Sequence, residues 1–242
     1  MLMQVVSSNI ILLYINNCYS GEKLDKKNYN EVSKMKVLLI NGSPKAKGCT
    51  YTALCELANE LEKENIETEI FHVGTKPLGG CTACGGCSRS NSDKCVFYDD
   101  TVNIALEKAK EVDGFIFGSP VHYAAASGQI TSFLDRFFYA GDGFQYKPGA
   151  AIVSCRRGGS TAAFEQLNKY FTISNMPVVS SQYWNMVHGN TPEEVKQDLE
   201  GMQTMRTLGK NMAWLLKSIQ AGKEAGITLP EKEIRVGTNF IR

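Results

Sequence analysis

An excess of charge of either sign is missing from this 242-residue chain: 26 Lys and Arg stand against 25 Asp and Glu, a formal net charge of +1. That balance offers no electrostatic footprint for a polyphosphate backbone and argues against nucleic acid as a partner. Long apolar runs are missing too. None approaches the roughly 18 residues that a membrane-spanning helix requires, which argues against a membrane protein. Charged residues make up 21% and hydrophobic residues 43%, so disorder is not the main character of the chain. At roughly 150 residues per domain, the length supports one large α/β domain, with or without an appendage.

A secretory leader also fits badly. The apolar stretch Val5 to Asn16 has no basic residue before it and no small-residue cleavage site after it. A polar run, Gly21 to Lys34, follows. Residues 1–34 are therefore expected to be a dispensable N-terminal extension or the product of an upstream start. The domain is expected to open at Met35 and run to about residue 220, with 221–242 as a C-terminal tail.

From Met35 short apolar runs alternate with helical periods, which predicts a parallel sheet with helices on both faces. Lys36 to Ile40, Ile66 to Val73, Gly114 to Gly118, Ala150 to Ser154 and Val178 to Tyr183 read as five strands. Apolar positions at helical spacing mark the helices between them, with Asp100 and Ser160 as caps. Thr191-Pro192-Glu193-Glu194 reads as a capping box opening one long helix through Val195, Leu199, Met202, Met205, Met212 and Leu216. The expectation is a doubly wound open sheet.

In such sheets ligands sit at the carboxyl ends of the strands, so the first strand-to-helix turn carries the most information. It reads Asn41-Gly42-Ser43-Pro44-Lys45-Ala46-Lys47-Gly48-Cys49-Thr50. Such a turn offers an anion free backbone N–H groups, two hydroxyls, the Lys45 charge and the positive end of a helix dipole. The ATP-binding Gly-x4-Gly-Lys-Ser/Thr pattern is absent, because position 47 is Lys and position 48 is Gly. The dinucleotide fingerprint Gly-x-Gly-x-x-Gly is absent as well. What remains suits a single phosphate, as in a mononucleotide.

The segment NGSPKAKGCTYTAL resembles the phosphate loop of the flavodoxin-like NAD(P)H-dependent FMN reductases. Gly118-Ser119-Pro120-Val121-His122-Tyr123 after the third strand, then Ser127-Gly128-Gln129 and Phe133-Leu134-Asp135-Arg136, follow in the family's order. The similarity spans about residues 35–190. It implies a flavodoxin-like five-stranded parallel sheet in the order 2-1-3-4-5. It also implies that Ser43, Lys45, Cys49 and Thr50 hold the FMN phosphate, although the family often has Asn at the position of Cys49. Pro120, Val121, His122 and Tyr123 would line the flavin ring, and Gly158 and Gly159, in the loop Cys155 to Thr161, would close over it. Arg156 and Arg157 read equally as a solvated pair or as a receiver for NADPH phosphates.

Cys81, Cys84, Cys87 and Cys95 follow the spacing Cys-x2-Cys-x2-Cys-x7-Cys inside the Gly-rich loop 79–95. Three cysteines in consecutive steps of three suggest iron-sulfur ligands more than two separated zinc knuckles. The motif is similar to that of the iron-sulfur flavoproteins, a branch of the same group. Zinc, free thiols and disulfides remain the alternatives. Cys18, Cys49, Cys55 and Cys155 are dispersed and read as packing residues. So many unpaired thiols favour a reducing, cytoplasmic setting.

The resemblance implies an oxidoreductase in which NAD(P)H reduces FMN and the reduced flavin serves a small-molecule or electron-carrier acceptor. The cofactor carries that chemistry, so no catalytic acid or base is nominated. A flavodoxin-type carrier and a flavin-binding sensor are the rival readings. A homodimer or homotetramer is expected, with Tyr183-Trp184-Asn185 or the Met202, Met205, Met212 and Trp214 face as candidate contacts, packing within the domain being the alternative for each.

Overall fold

Strand β1, Lys36–Asn41, is buried from Val37 onward, because its Val and Leu residues face packed helices on both sides. The computed structural model describes residues 34–238 apart from positions 91, 99 and 235. The expectations for residues 1–33 and for Cys18 lie outside the described residues.

After β1 come helix α1 (Cys49–Lys63), strand β2 (Glu67–His72), and helices α2 (Gly86–Ser90) and α3 (Thr101–Ala109). Strand β3 (Gly114–His122), the two-residue strand β4 (Ala125–Ala126) and helix α4 (Gly128–Ala140) follow. Strand β5 (Gly149–Cys155), helix α5 (Ser160–Ile173), strand β6 (Met186–His188), and helices α6 (Pro192–Gln197) and α7 (Leu199–Glu224) complete the order. The five parallel strands lie as β2-β1-β3-β5-β6, and β4 pairs antiparallel with the end of β3. Apart from that added β4, the doubly wound arrangement expected from the sequence is present.

Alternation along β1 divides the core. Leu38 and Ile40 pack with α3, α4 and α5, where Phe117 stacks on Phe171 at 4.9 Å and Phe137 on Phe144 at 5.0 Å. Val37 and Leu39 face α1 and α7. Each such buried side chain contributes about 1.5–3 kcal/mol.

Three local expectations are corrected. Val178 makes only an isolated parallel bridge to Gly149, and the fifth long-range strand is Met186–His188 rather than Val178 to Tyr183. The chain leaves the sheet after Val179, where Asn211 Nδ2 donates to Ser180 O, and rejoins it where Val153 N donates to Asn185 O. Ser160 does not cap α5. Gly159, at a left-handed φ of 87°, occupies that position without any side-chain cap. The single long C-terminal helix is two, because Asp198 (ψ 80°) breaks it after α6 and caps α7 through Gly201 N. Met202, Met205 and Met212 are buried against their own domain, whereas Trp214 is exposed.

Candidate functional site

The turn between β1 and α1 is held in shape from below. The fully buried Asn41 side chain accepts from Ser43 N at 3.1 Å and donates to Ala46 O at 3.0 Å. Ser43 Oγ accepts from Lys45 N, and Gly42 N donates to Gly118 O. At the cap of α4, Ser127 Oγ donates to Gly42 O at 2.8 Å. His72 Nε2 lies 2.8 Å from Ser43 O. Gly42 is required sterically, since a Cβ there would sit 2.5 Å from Ile130 Cβ. These bonds fix the Asn41 and Ser43 side chains within the turn, while α1 begins at Gly48 with no side-chain cap. Its first N–H groups therefore have no side-chain partner, which is the arrangement that receives an anion.

Across the sheet, β3 and β4 form a two-residue hairpin. Tyr123 (φ 49°) and Ala124 (φ 59°) are its central residues, with His122 and Ala125 paired around them. Two left-handed residues suit the twist of such a turn, yet neither is Gly, so each stores roughly 1 kcal/mol. Gly159 presses against this turn, where its Cβ would lie 2.6 Å from Ala124 Cα. Tyr123 points fully into solvent.

Ser43, Lys45, Cys49, Thr50, Pro120, Val121 and His122 line one cavity of about 230 Å³, together with Ser154, Cys155, Arg156 and Asn190. Tyr123, Gly158 and Gly159 do not line it and stand beside it. Thr50 Oγ1 shares a 2.8 Å hydrogen bond with Ser154 Oγ, both buried. Burial pushes the thiols of Cys49 and Cys155 above their ordinary value, so both stay protonated and neutral at pH 7. Sequence reasoning missed Ser154 and Asn190. Nothing local signals either, because each reaches the site from a later strand or loop.

The four clustered cysteines line a second cavity, of about 150 Å³, with Arg136 and Tyr139 from α4. Left-handed turns at Ala83 (φ 53°) and Gly85 (φ 65°) fold the chain between successive cysteines. N–H groups donate to two of the sulfurs: Ala83 N to Cys81 at 3.4 Å and Arg136 Nε to Cys95 at 3.2 Å. The backbone donor from Gly86 is the main cause holding the Cys84 thiol below its ordinary value. Cys87 Sγ instead donates to Tyr139 O. Asn103 fixes Cys95 by accepting from its N–H and donating to its carbonyl. Among the described residues, no three His, Cys, Asp or Glu side chains converge closely enough for one metal ion. The seven described cysteines are all free thiols.

Residues 35–191 match the family model described as NADPH-dependent FMN reductase. The chain belongs to that family. By that membership, this FMN reductase family member is a flavin-dependent oxidoreductase with FMN and NAD(P)H as its cofactors. It is 36% identical over 195 residues to an iron-sulfur flavoprotein of Methanocaldococcus jannaschii, covering 77% of this chain and all of that one. It is 32% identical over 119 residues to an FMN-dependent NADPH-azoreductase of Staphylococcus saprophyticus, covering 49% of this chain and 59% of that one. Among solved structures, RosB with a bound 8-demethyl-8-formylriboflavin 5'-phosphate intermediate superposes with a TM-score of 0.60 at 16% identity, covering 86% and 93% of the two chains. An archaeal flavodoxin gives 0.53 at 17%, covering 76% and 99%. At those identities the two structures show the flavodoxin-like fold. No described helix of this reductase is long and apolar enough to cross a membrane.

Proposed function

We propose that the cavity between α1 and the β3–β4 hairpin holds FMN with its phosphate on the β1–α1 turn, and that NADPH reduces it there. The observation that carries this reading is the uncapped N-terminus of α1, in a turn that Asn41 and Ser43 hold in shape. When bound, FMN supplies hydride acceptance and onward electron transfer. The chain's own residues do the rest. N–H groups of the first turn of α1 and the Ser43 hydroxyl face the phosphate, and the Lys45 side chain balances its charge. Pro120, Val121 and His122 form the wall against the ring, and the strained hairpin with Gly159 fixes how closely backbone approaches it. Arg156, exposed on the rim of the same cavity, is positioned for a phosphate of the nicotinamide nucleotide.

We further infer that Cys81, Cys84, Cys87 and Cys95 hold an iron-sulfur centre. The thiols are spread around one cavity rather than gathered on a point, and two of them, Cys81 and Cys95, receive N–H donors, which stabilise sulfur carrying negative charge. Cys87 gives up its proton, and with it the bond to Tyr139 O, when it becomes a ligand. Seven free thiols support a reducing compartment. Exposed Tyr123, Tyr183 and Trp184 support self-association.

The test is an anaerobic preparation loaded with FMN. NADPH is expected to bleach the flavin absorbance stoichiometrically, with bound iron and sulfide in the same sample. Flavin that stays oxidised under excess NADPH overturns the reductase reading, and flavin bands without iron or sulfide overturn the cluster.

A further inference from the structure

Beside the cysteine cavity lies a larger one, of about 730 Å³, which the FMN site does not use. Its volume falls in the roughly 300–1,000 Å³ range of small-molecule sites. It starts behind the phosphate turn, at Val73 and Gly74 just beyond β2. It ends against Phe97 and Arg136, which it shares with the cysteine cavity.

Its walls are built rather than loose. Gln129 Nε2, at the start of α4, donates to the carbonyls of Gly74 and Lys76 at 3.2 and 2.9 Å. Seven residues later, about 10 Å along the same helix, Arg136 donates to the carbonyls of Gly79 and Phe97. One helix thus clamps both ends of the loop that encloses the space. Val73, Pro77, Leu78 and Phe97 supply apolar wall in a lining that also carries Thr75, Thr82 and Thr101. The charges are unbalanced: Asp100 is committed to Arg136 and to capping α3, whereas Lys76 makes no ion pair with any described residue. A Cβ built on Gly79 meets nothing within 4 Å.

We infer that this cavity binds a planar aromatic electron acceptor carrying an anionic group, placed against the cysteine centre and apart from the flavin. The apolar walls take the ring, and the Lys76 ammonium takes the anion. The inference rests on the reductase and cysteine-centre readings for its chemistry, and on the cavity alone for binding. For a quinone, NADPH gives up two electrons and one proton at the flavin, the quinone takes up two electrons and two protons in the cavity, water makes up the second proton, and the products are NADP+ and the hydroquinone.

The probe is anthraquinone-2-sulfonate, titrated calorimetrically into the FMN-loaded protein. Saturable binding is expected, weakened about tenfold or more by Gly79→Trp, which puts a bulky side chain on the cavity's lining, and by Lys76→Glu, which reverses its charge. Both variants are expected to keep the wild-type rate of flavin bleaching by NADPH while losing NADPH-driven reduction of the probe. Absence of saturable binding, or binding unchanged in both variants, overturns the site. Binding that weakens as expected in a protein whose flavin NADPH fails to bleach leaves the site standing and removes the reductase reading instead.

Discussion

Arg136 Nε donates to Cys95 Sγ at 3.2 Å from within the core, its side chain only 2% exposed. The same guanidinium donates to Asp100 and to the carbonyls of Gly79 and Phe97, so one side chain clasps both stems of the loop that carries all four clustered cysteines. Burial works against its charge, but the hydrogen bonds to Asp100 and Cys95 outweigh it and hold the group above its ordinary value. Arg136→Met strands a carboxylate and two carbonyls and is expected to cost about 3 kcal/mol in denaturant unfolding. Iron retained after anaerobic reconstitution is expected to fall with it. Full iron retention in a folded Arg136→Met protein would show that the clasp does not position Cys95.

Thr50 bonds to Ser154 through its hydroxyl and starts the first turn of α1. Thr50→Val keeps the shape and leaves Ser154 Oγ without that partner, which is expected to cost about 1 kcal/mol of stability. FMN affinity is expected to fall by about tenfold, read by fluorescence titration. An affinity equal to wild type would mean that this hydroxyl plays no part in shaping the phosphate site.

The left-handed pair at the β3–β4 turn gives a prediction of opposite sign. Ala124→Gly relieves one strained residue and is expected to stabilise the protein by at most about 0.5 kcal/mol in thermal or denaturant unfolding, after the lost chain stiffness is deducted. Destabilisation would show that the Ala124 methyl makes a contact worth more than the strain.

Glu69 on β2 sits 3.4 Å from Lys36 and 2.7 Å from Lys108. Burial pushes its carboxyl up, but the two ammonium groups outweigh that and hold it below the ordinary 4.5. With the folded-state value depressed, the contribution is complete above the unfolded value and is lost as pH falls through the folded one. Glu69→Gln is therefore expected to cost about 0.5 kcal/mol at pH 7 and nothing below about pH 3, measured by urea unfolding at both. A penalty that persists at low pH would assign the effect to packing rather than charge.

Much of this architecture is legible in the sequence because the signals are local. Val37 to Ile40 of β1 are continuously apolar, and the Cys-x2-Cys-x2-Cys run places three cysteines within seven residues, around one cavity. What escaped reading depends on distant partners. Arg136 lies 41 residues from Cys95 and reads as one more residue of the Phe133 to Phe137 helix, although it holds the cysteine loop together. Val178 and Val179 have the composition of a strand, yet the chain pairs only briefly with Gly149 before bulging out. Apolar periodicity runs through residue 198 without a break, so only the backbone geometry of Asp198 reveals two helices. At the site, the turn declared itself, while Ser154 and Asn190 enter only through sheet topology.

The central claim is that the β1–α1 turn grips a terminal phosphate. Its most direct test compares equilibrium binding of FMN and riboflavin, which share the ring and differ in that group. Riboflavin is expected to bind at least about a hundredfold more weakly, the loss of two or three charge-assisted hydrogen bonds. Equal affinities for the two flavins would contradict the account.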